Sequence, residues 1–543
     1  MSHFGALDWT IVIVYFVAMA SVGPYFARRN KSTDGYFVGN RSFPAWLLGL
    51  AMFATSISSI TVVAFPADAY KTAYLRLLPA FMLPVGILIT SLTILPMFRR
   101  SRCTSAFEYL EGRFGPGIRL YAAIAFLVTQ VARISTILYL VSLVFQQMTG
   151  ADPYVCIFAG GIVIAIYTVS GGIRAIVTAQ FVQAFLLWGG AILCFIMIVR
   201  GIDGGISTII STALADHKFM LGDLNAATNT IEKAKWFSLR EQAILMMFVM
   251  GLNNWLTEYS SNQNTIQKYV AAKNPREATL SIWICCLCSV PTWAFFMFLG
   301  TSLYVFYQVN PDPAAAAILT GEGGAKAESI LPYFCVSRLP SGILGLVITG
   351  VLAAAMSASS SSVNAISAVT ITDIYRRHLV KNGDEKHYVL AARIVTAFSC
   401  LIMMGGAILF NQMSKLTLQH TGTKLAALLW GGILGIYLLG FFTTRGNGKS
   451  VLAGIVCTLI FTGYITAIEL EIVTKLKLMA VFGLSENWAD LLSKPIHTYY
   501  TGVFGNILLF LVAYGVASLF QQRTRDLTNL TIWTRKPVEG EAE

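Results

Sequence analysis

An all-α polytopic membrane protein is the fold class this sequence predicts, and three observations carry the prediction. The 543 residues are 56% hydrophobic and only 12% charged, with a mean hydropathy of +0.66, values outside the range of soluble domains. Thirteen apolar runs reach the roughly 20 residues that a bilayer crossing needs. Basic residues cluster after every second run, as the positive-inside rule requires of a chain threaded back and forth through a membrane.

The runs lie near 8–27, 45–70, 76–98, 117–148, 153–170, 175–200, 239–261, 279–307, 341–372, 388–411, 416–442, 450–473 and 500–520. The first follows Asp8 directly, without a basic leader or a small-residue cleavage site. It therefore reads as a retained helix and not as a signal peptide. Arg28/Arg29/Lys31, Arg99/Arg100/Arg102, Arg174, Lys268/Lys273/Arg276, Arg376/Arg377/Lys381, Arg445/Lys449 and Arg523/Arg525 all follow odd-numbered runs. That parity puts the N-terminus outside and the C-terminus in the cytoplasm of a multi-pass protein of the cell's inner (plasma) membrane. The net charge of +12 is then an orientation device and no footprint for nucleic acid. In the long outer loops, near 201–238, 308–340 and 474–499, Pro311-Asp-Pro-Ala-Ala-Ala-Ala predicts a short helix. Residues 1–520 read as one transmembrane domain and 521–543 as a polar, mobile cytoplasmic tail. No ATP-binding loop or kinase module occurs, which leaves an ion gradient as the energy source, or none.

Two segments place hydroxyls inside apolar runs. Phe53–Thr61 holds Thr55, Ser56, Ser58, Ser59 and Thr61, with Pro66 beyond. A membrane-buried backbone must satisfy its own hydrogen bonds. A segment built to leave helical geometry at that depth therefore lines a polar cavity, the device by which secondary transporters hold solute and ion. Ala353–Asn364 in the ninth run holds Ser357 and Ser359 to Ser362. Carbonyls from one segment and hydroxyls from the other suit a small hard cation. Close helix packing through small residues is the competing reading.

Charged residues within the runs are few. Arg133 sits in the middle of the fourth run, where a guanidinium needs a partner. Its planar fork suits a carboxylate, either of a solute or of Glu258 in the seventh run. Glu258 has two further readings: a ligand for sugar hydroxyls and a proton carrier. Cys285-Cys286-Leu-Cys288 lies in an apolar run with no His or carboxylate near, which favours packing over a metal site. His3, His217, His378, His387, His420 and His497 fall in or near loops, which argues against a histidine proton relay.

Over nearly its full length the chain resembles the sodium:solute symporter family. The matching elements are Phe53–Tyr70, Gly171-Gly-Ile-Arg-Ala-Ile-Val-Thr-Ala-Gln-Phe-Val-Gln183, Asn262-Gln263 with Gln267-Lys-Tyr-Val-Ala-Ala-Lys273, and Ala353–Tyr375 ending in Thr372-Asp-Ile-Tyr. The resemblance implies a leucine-transporter-like fold of two five-helix inverted repeats, about 45–200 and about 239–442, with peripheral helices at 8–27, 450–473 and 500–520. It implies a sodium site made of the Ala54, Ile57 and Ala354 carbonyls and the Ser357 hydroxyl. A second hydroxyl ligand is expected at position 358, where this chain has Ala358, so Ser359 or Ser360 would have to turn inward. Some members hold a second sodium through an Asp at the position of Gln180, with hydroxyls matching Ser360 and Ser361. A neutral amide does not replace that charge, so one sodium per cycle is expected.

Within the family, Arg133 and Phe65-Pro-Ala-Asp-Ala-Tyr70 bring the chain near the bacterial sialic acid symporters. In that branch the matching Arg binds the solute carboxylate, and hydroxyls matching Ser58 and Thr61 assist. Arg76 and Ala80 stand where the branch has an aromatic and a Gln. Arg76 either favours an acidic solute at the outer mouth or snorkels there. The resemblance thus implies a symporter and not an enzyme, coupling inward sodium flow to uptake of sialic acid or another acidic sugar by alternating access. Its solute ligands would be Ser58, Thr61, Arg76, Arg133 and Glu258. A sugar, polyol or monocarboxylate symporter is the alternative, and a transporter-like sensor a remote one.

Overall fold

The computed structural model describes residues 4–27, 31–101, 103–225, 230–321, 326–412, 429–470, 472–474, 483, 485–493, 496–520 and 526–534. Much of the eleventh run (416–442) and of the tail, with His3, Arg28, Arg29, Arg102, His420, Arg523 and Arg525, lies outside the described residues. Among the described residues, nine helices are long and apolar enough to cross a membrane, and one bent pair makes a tenth.

The first helix, α1 (Ala6–Ala27), carries the buried Asp8. The second run is broken, into α2 (Ala45–Ser56) and α3 (Ser59–Lys71), with a bend of 56°. Hydroxyls help to cause the break. Thr55 Oγ1 donates to the Ala51 carbonyl at 2.9 Å and Ser56 Oγ to that of Phe53 at 2.8 Å, so the last turn of α2 spends carbonyls on side chains. Ile57 then turns extended (φ −93°, ψ 100°), and Ser58 opens α3 with φ −92° and ψ 168°.

The third run is a 3-10 segment (Tyr74–Met82) leading into α4 (Leu83–Leu92). Next comes α5 (Pro116–Thr149). Runs five and six are one helix of 48 residues, α6 (Pro153–Arg200). At 1.5 Å per residue it would measure about 70 Å, twice a bilayer core. It kinks at Gly172 (φ 55°, ψ −153°), where a Cβ would lie 2.7 Å from the Tyr36 carbonyl. The chain needs glycine there for both reasons.

After α7 (Gly205–Ala215) comes a two-stranded hairpin, β1 (Gly222–Asn225) with β2 (Thr230–Lys233). The seventh run begins later than expected, as α8 (Ile244–Ser261), and it too is broken. Asn262 is extended (φ −84°, ψ 113°) and α9 (Gln263–Val270) follows. Then come α10 (Pro275–Val309), the predicted short helix α11 (Pro313–Thr320), α12 (Ile343–Val369) with a π-helical extension to Leu379, and α13 (Glu385–Gln412). The described part of run eleven is mainly α14 (Ile433–Phe442). The remaining spans are α15 (Gly448–Glu469) and α16 (Tyr499–Leu519).

The core sits on α12, in which every residue from Val347 to Val369 is buried. It packs on α6, α5 and α2, while α10 lies along both halves of the broken span. The described part of the tail is held, against the expectation of a mobile tail. Residues 526–534 dock on α14: the Trp533 indole donates to the Phe442 carbonyl at 2.8 Å, and the Ile532 amide to that of Phe441 at 3.0 Å. An aromatic side chain and free carbonyls at a helix end outweigh the polar composition of that segment.

Candidate functional site

The break in the second run supplies the first half of the site. Among the described residues, no hydrogen bond returns to the Ala54 or Ile57 carbonyl. Facing that run is α12, with Ala354 and Ser357 both buried. Among the described residues, the Ser357 hydroxyl has no hydrogen-bond partner although the residue is 0% exposed. An orphaned buried hydroxyl is rare and asks for a ligand. These four residues are the predicted sodium ligands, and oxygen donors of this kind fit a hard monovalent cation. Ala358 is buried and brings no oxygen, and the Ser360 hydroxyl is committed to the Ser357 carbonyl at 3.2 Å.

Gln180 of α6 occupies the neighbouring position. Its Nε2 donates to Ser361 Oγ at 2.6 Å, to the Ser357 carbonyl at 3.0 Å and to Thr55 Oγ1 at 3.1 Å. Thr55 and Ser361 hydroxyls are themselves 3.2 Å apart.

Of the solute candidates, the structure brings Ser58 and Thr61 together and leaves the others on separate elements. Ser58 and Thr61 hydroxyls lie 3.5 Å apart at the start of α3. Ser58 is the N-cap residue, yet its side chain makes no capping bond and stays available. The N-terminus of α3 adds unpaired amides and a positive dipole end at this depth. Arg133 projects from α5, which packs on α3 and α12, and is half-buried. No ion pair or hydrogen bond engages its guanidinium among the described residues. Glu258 is no partner for it. That carboxylate accepts from Asn262 Nδ2 at 2.7 Å and from Thr265 Oγ1 at 2.5 Å, and so staples the break between α8 and α9. Arg76 stands apart, ion-paired to Asp68 at the far end of α3. Ala80 is buried in the 3-10 segment, next to the Pro79 carbonyl that receives the Trp255 indole at 2.8 Å.

Sequence reasoning missed α9. Its eight residues are all buried, although most are polar. Gln263 accepts from the Ala106 amide at 2.7 Å and donates to the Thr104 carbonyl at 2.8 Å. Asn264 reaches Gln130 at 3.1 Å, and Gln267 reaches the Phe37 carbonyl at 2.7 Å. Lys268 sends its ammonium to the Ala51 carbonyl at 3.2 Å and to Thr55 Oγ1. The run of amides in Asn262–Gln267 was the available signal. Each such side chain can bond two backbones at once, which suits a buried plug better than a solvated loop.

The other matching motifs have local explanations as well. Asp373 pairs with Arg119 Nε at 2.6 Å, and Gln183 donates to the Tyr15 hydroxyl at 3.1 Å.

The chain is 32% identical to the sodium/sialic acid symporter SiaT of Proteus mirabilis (strain HI4320), over 85% of this chain and 89% of that protein. It is 28% identical to the sodium/sialic acid symporter NanT of Aliivibrio fischeri (strain ATCC 700601 / ES114), over 95% and 94%. A solved Na+-coupled sialic acid symporter, substrate-bound and outward-open with a novel Na+ site, superposes with a TM-score of 0.81 at 29% identity, covering 96% of this chain and all of that one. The model of the sodium:solute symporter family matches residues 36–457. This match, over more than half of the chain, and the relative at 32% identity show that the chain belongs to the sodium:solute symporter family.

Proposed function

We propose that this symporter imports a carboxylate-bearing polar solute, sialic acid or another acidic sugar, with one sodium ion. The observation that carries the solute class is Arg133: a guanidinium at mid-helix, on a helix that packs against the broken span, with no ionic partner among the described residues. An unpaired cation at this depth is expensive, and a bidentate carboxylate is the ligand that fits it. Ser58 and Thr61 would take further solute oxygens. Arg76, held by Asp68, would meet the acid first at the outer mouth and pass it inward. Glu258 would act indirectly, by fixing the break at Asn262.

The sodium would sit among the Ala54, Ile57 and Ala354 carbonyls and the Ser357 hydroxyl. Its charge would draw α2 and α3 onto α12 and complete the solute site. The breaks in runs two and seven fall in the first helix of each proposed five-helix half, which supports the inverted-repeat reading. In that reading the N-terminus is outside, the C-terminus is cytoplasmic, and one helix group rocks against the other to expose the site alternately.

A second reading, a monocarboxylate or smaller acid, is favoured by Ala80, which removes a polar pocket wall. Uptake into proteoliposomes under an inward sodium gradient tests both. We expect sialic acid uptake that Ser357→Ala abolishes without unfolding the protein, and that Arg133→Ala abolishes while Arg133→Lys retains a fraction. Sialic acid uptake that persists in Arg133→Ala would sink the carboxylate role. Uptake of small acids alone would select the second reading.

A further inference from the structure

A helix leaves its last carbonyls without partners of its own. At the end of α14, two segments far apart in the chain share them. Arg113 donates to the Gly440 carbonyl at 3.4 Å and to the Thr443 carbonyl at 3.1 Å. The two between, Phe441 and Phe442, receive the Ile532 amide at 3.0 Å and the Trp533 indole at 2.8 Å. The tail segment 526–534 that supplies them lies beyond residues 36–457, the stretch that the family model matches. It is built as a unit. The Thr531 and Thr534 hydroxyls lie 2.9 Å apart, the Leu530 amide donates to the Leu527 carbonyl at 2.9 Å, and the Asn529 amide to that of Thr534 at 3.1 Å. A turn that holds its own shape seats at a lower ordering cost than a loose chain.

The segment rests on the short helix Glu108–Phe114, which carries Arg113. Tyr109, four residues before Arg113 and on the same face, stacks on Phe441 at 4.4 Å and donates to the Leu530 carbonyl at 2.8 Å. Glu111 accepts from Arg119 of α5 at 2.7 Å and pairs with Arg377 in the extension of α12. Just before the helix, the Ala106 amide donates to Gln263 of α9, and the Ala106 carbonyl accepts from Tyr437 of α14 at 3.0 Å. The tail is thus seated on a junction that ties α5, α9, α12 and α14 together. We propose that segment 526–534 is a built-in brake: seated, it completes the cap of α14 and holds this junction closed, and unseated, it frees the junction for the step that opens the cytoplasmic side. The proposal rests on the alternating-access reading with a cytoplasmic C-terminus. In that reading α9 moves against α5 and α12, and the junction ties all three. While the tail is seated, its contacts add to the barrier of that movement.

The experiment compares the full chain with a chain ending at Arg525, with Trp533→Ala, and with Tyr109→Phe, which keeps the ring and loses the bond to Leu530. Two quantities are read. One is the initial rate of sialic acid uptake into proteoliposomes under an inward sodium gradient. The other is the rate at which a maleimide, added on the cytoplasmic side without sodium, alkylates Cys103, which is buried just before the junction; Cys103→Ser gives the blank. The shortened chain and Trp533→Ala should label Cys103 about fivefold faster than the native chain, the equivalent of one lost hydrogen bond, and import faster as well. Tyr109→Phe should show a smaller rise of both. A synthetic peptide of residues 526–534 on the cytoplasmic side should return the shortened chain to native rates, which a merely unstable protein would not do. Labelling that does not rise in the shortened chain, or uptake that falls, overturns the proposal. Should the shortened chain not fold, Trp533→Ala decides by the same two rates. Failure of the solute reading looks different: a native chain that imports no sialic acid removes that reading, and Cys103 labelling alone then judges the brake.

Discussion

Both halves of the broken span end on a buried lysine from a distant segment. At the end of α2, Lys268 bonds the Ala51 carbonyl and Thr55 Oγ1. At the end of α3, Lys218, from the loop after α7, bonds the carbonyls of Tyr70 at 2.8 Å, Thr72 at 3.1 Å and Ala69 at 3.3 Å, and its ammonium lies 3.9 Å from the Tyr304 ring centre. A helix C-terminus carries unpaired carbonyls and partial negative charge, so a cation there satisfies both. The partners differ, and so should the jobs. Among the described residues, Lys218 hydrogen-bonds only backbone carbonyls and lies over a ring, next to a cavity of about 390 Å³ lined by Lys71, Asp216 and His217. Lys268 shares a hydroxyl with Gln180 and Ser361, and through them touches the proposed coupling site. The same capping chemistry serves a structural end in one half and a wired end in the other.

The largest effect should follow from Lys268. Lys268→Met leaves the Thr55 hydroxyl and Ala51 carbonyl without their charged donor, a loss of about 3 kcal/mol, or about a hundredfold in coupled uptake. Lys218→Met should lower the protein's thermal stability and reduce uptake by no more than about tenfold, because its carbonyls lie at the helix end and solvent from the adjoining cavity can reach them. Initial rates and melting temperatures measured on both variants decide the comparison. Equal losses of uptake at equal stability would show that both lysines are caps and nothing more.

A smaller effect is the pH dependence that Lys218 gives to stability. Burial pulls Lys218 down to about 7 from its usual range, and Asp216 pulls partly the other way. Tyr304, His217 and Lys71 are the other titratable groups beside it. A depressed folded value means that the unfolded chain holds the extra proton between about pH 7 and the ordinary lysine value near 10.4. Stability therefore rises with pH across that window and is flat below it on this account. Melting temperatures at pH 7 and pH 9 should show the rise in the native chain and a flatter response in Lys218→Met.

These lysines also mark where sequence reading stops. The break at Ile57 was legible because five hydroxyls in nine residues are a rare concentration in an apolar run. Ser357 was legible through the family motif. Lys268 was read as a topological charge, since a lysine in a polar loop and one whose ammonium reaches a buried helix end look alike in sequence. The break at Asn262 was hidden for a related reason: hydropathy scores a buried amide-rich plug as solvent-exposed chain. Arg133 and Glu258 were a plausible pair on composition alone, and only the position of Asn262 and Thr265 separates them.

The smallest effect tests the opposite helix pole. Asp8 is the anionic counterpart of the two lysines: it caps the start of α12, accepting from the Gly342 and Gly345 amides at 2.7 Å each and from Ser341 Oγ at 2.8 Å. It ties α1, outside the proposed repeats, to the helix that carries Ser357. Asp8→Asn keeps the shape and one acceptor oxygen but loses the charge. The cost should be about 1 kcal/mol, visible as a lower melting temperature. If α12 responds as one rigid body, the sodium concentration for half-maximal uptake should not change, because the cap lies several turns from Ser357. A shift in sodium affinity larger than the stability loss would mean that α12 slides along its axis during the cycle, and that its N-terminal cap, like Lys268 and unlike Lys218, is wired to the ion.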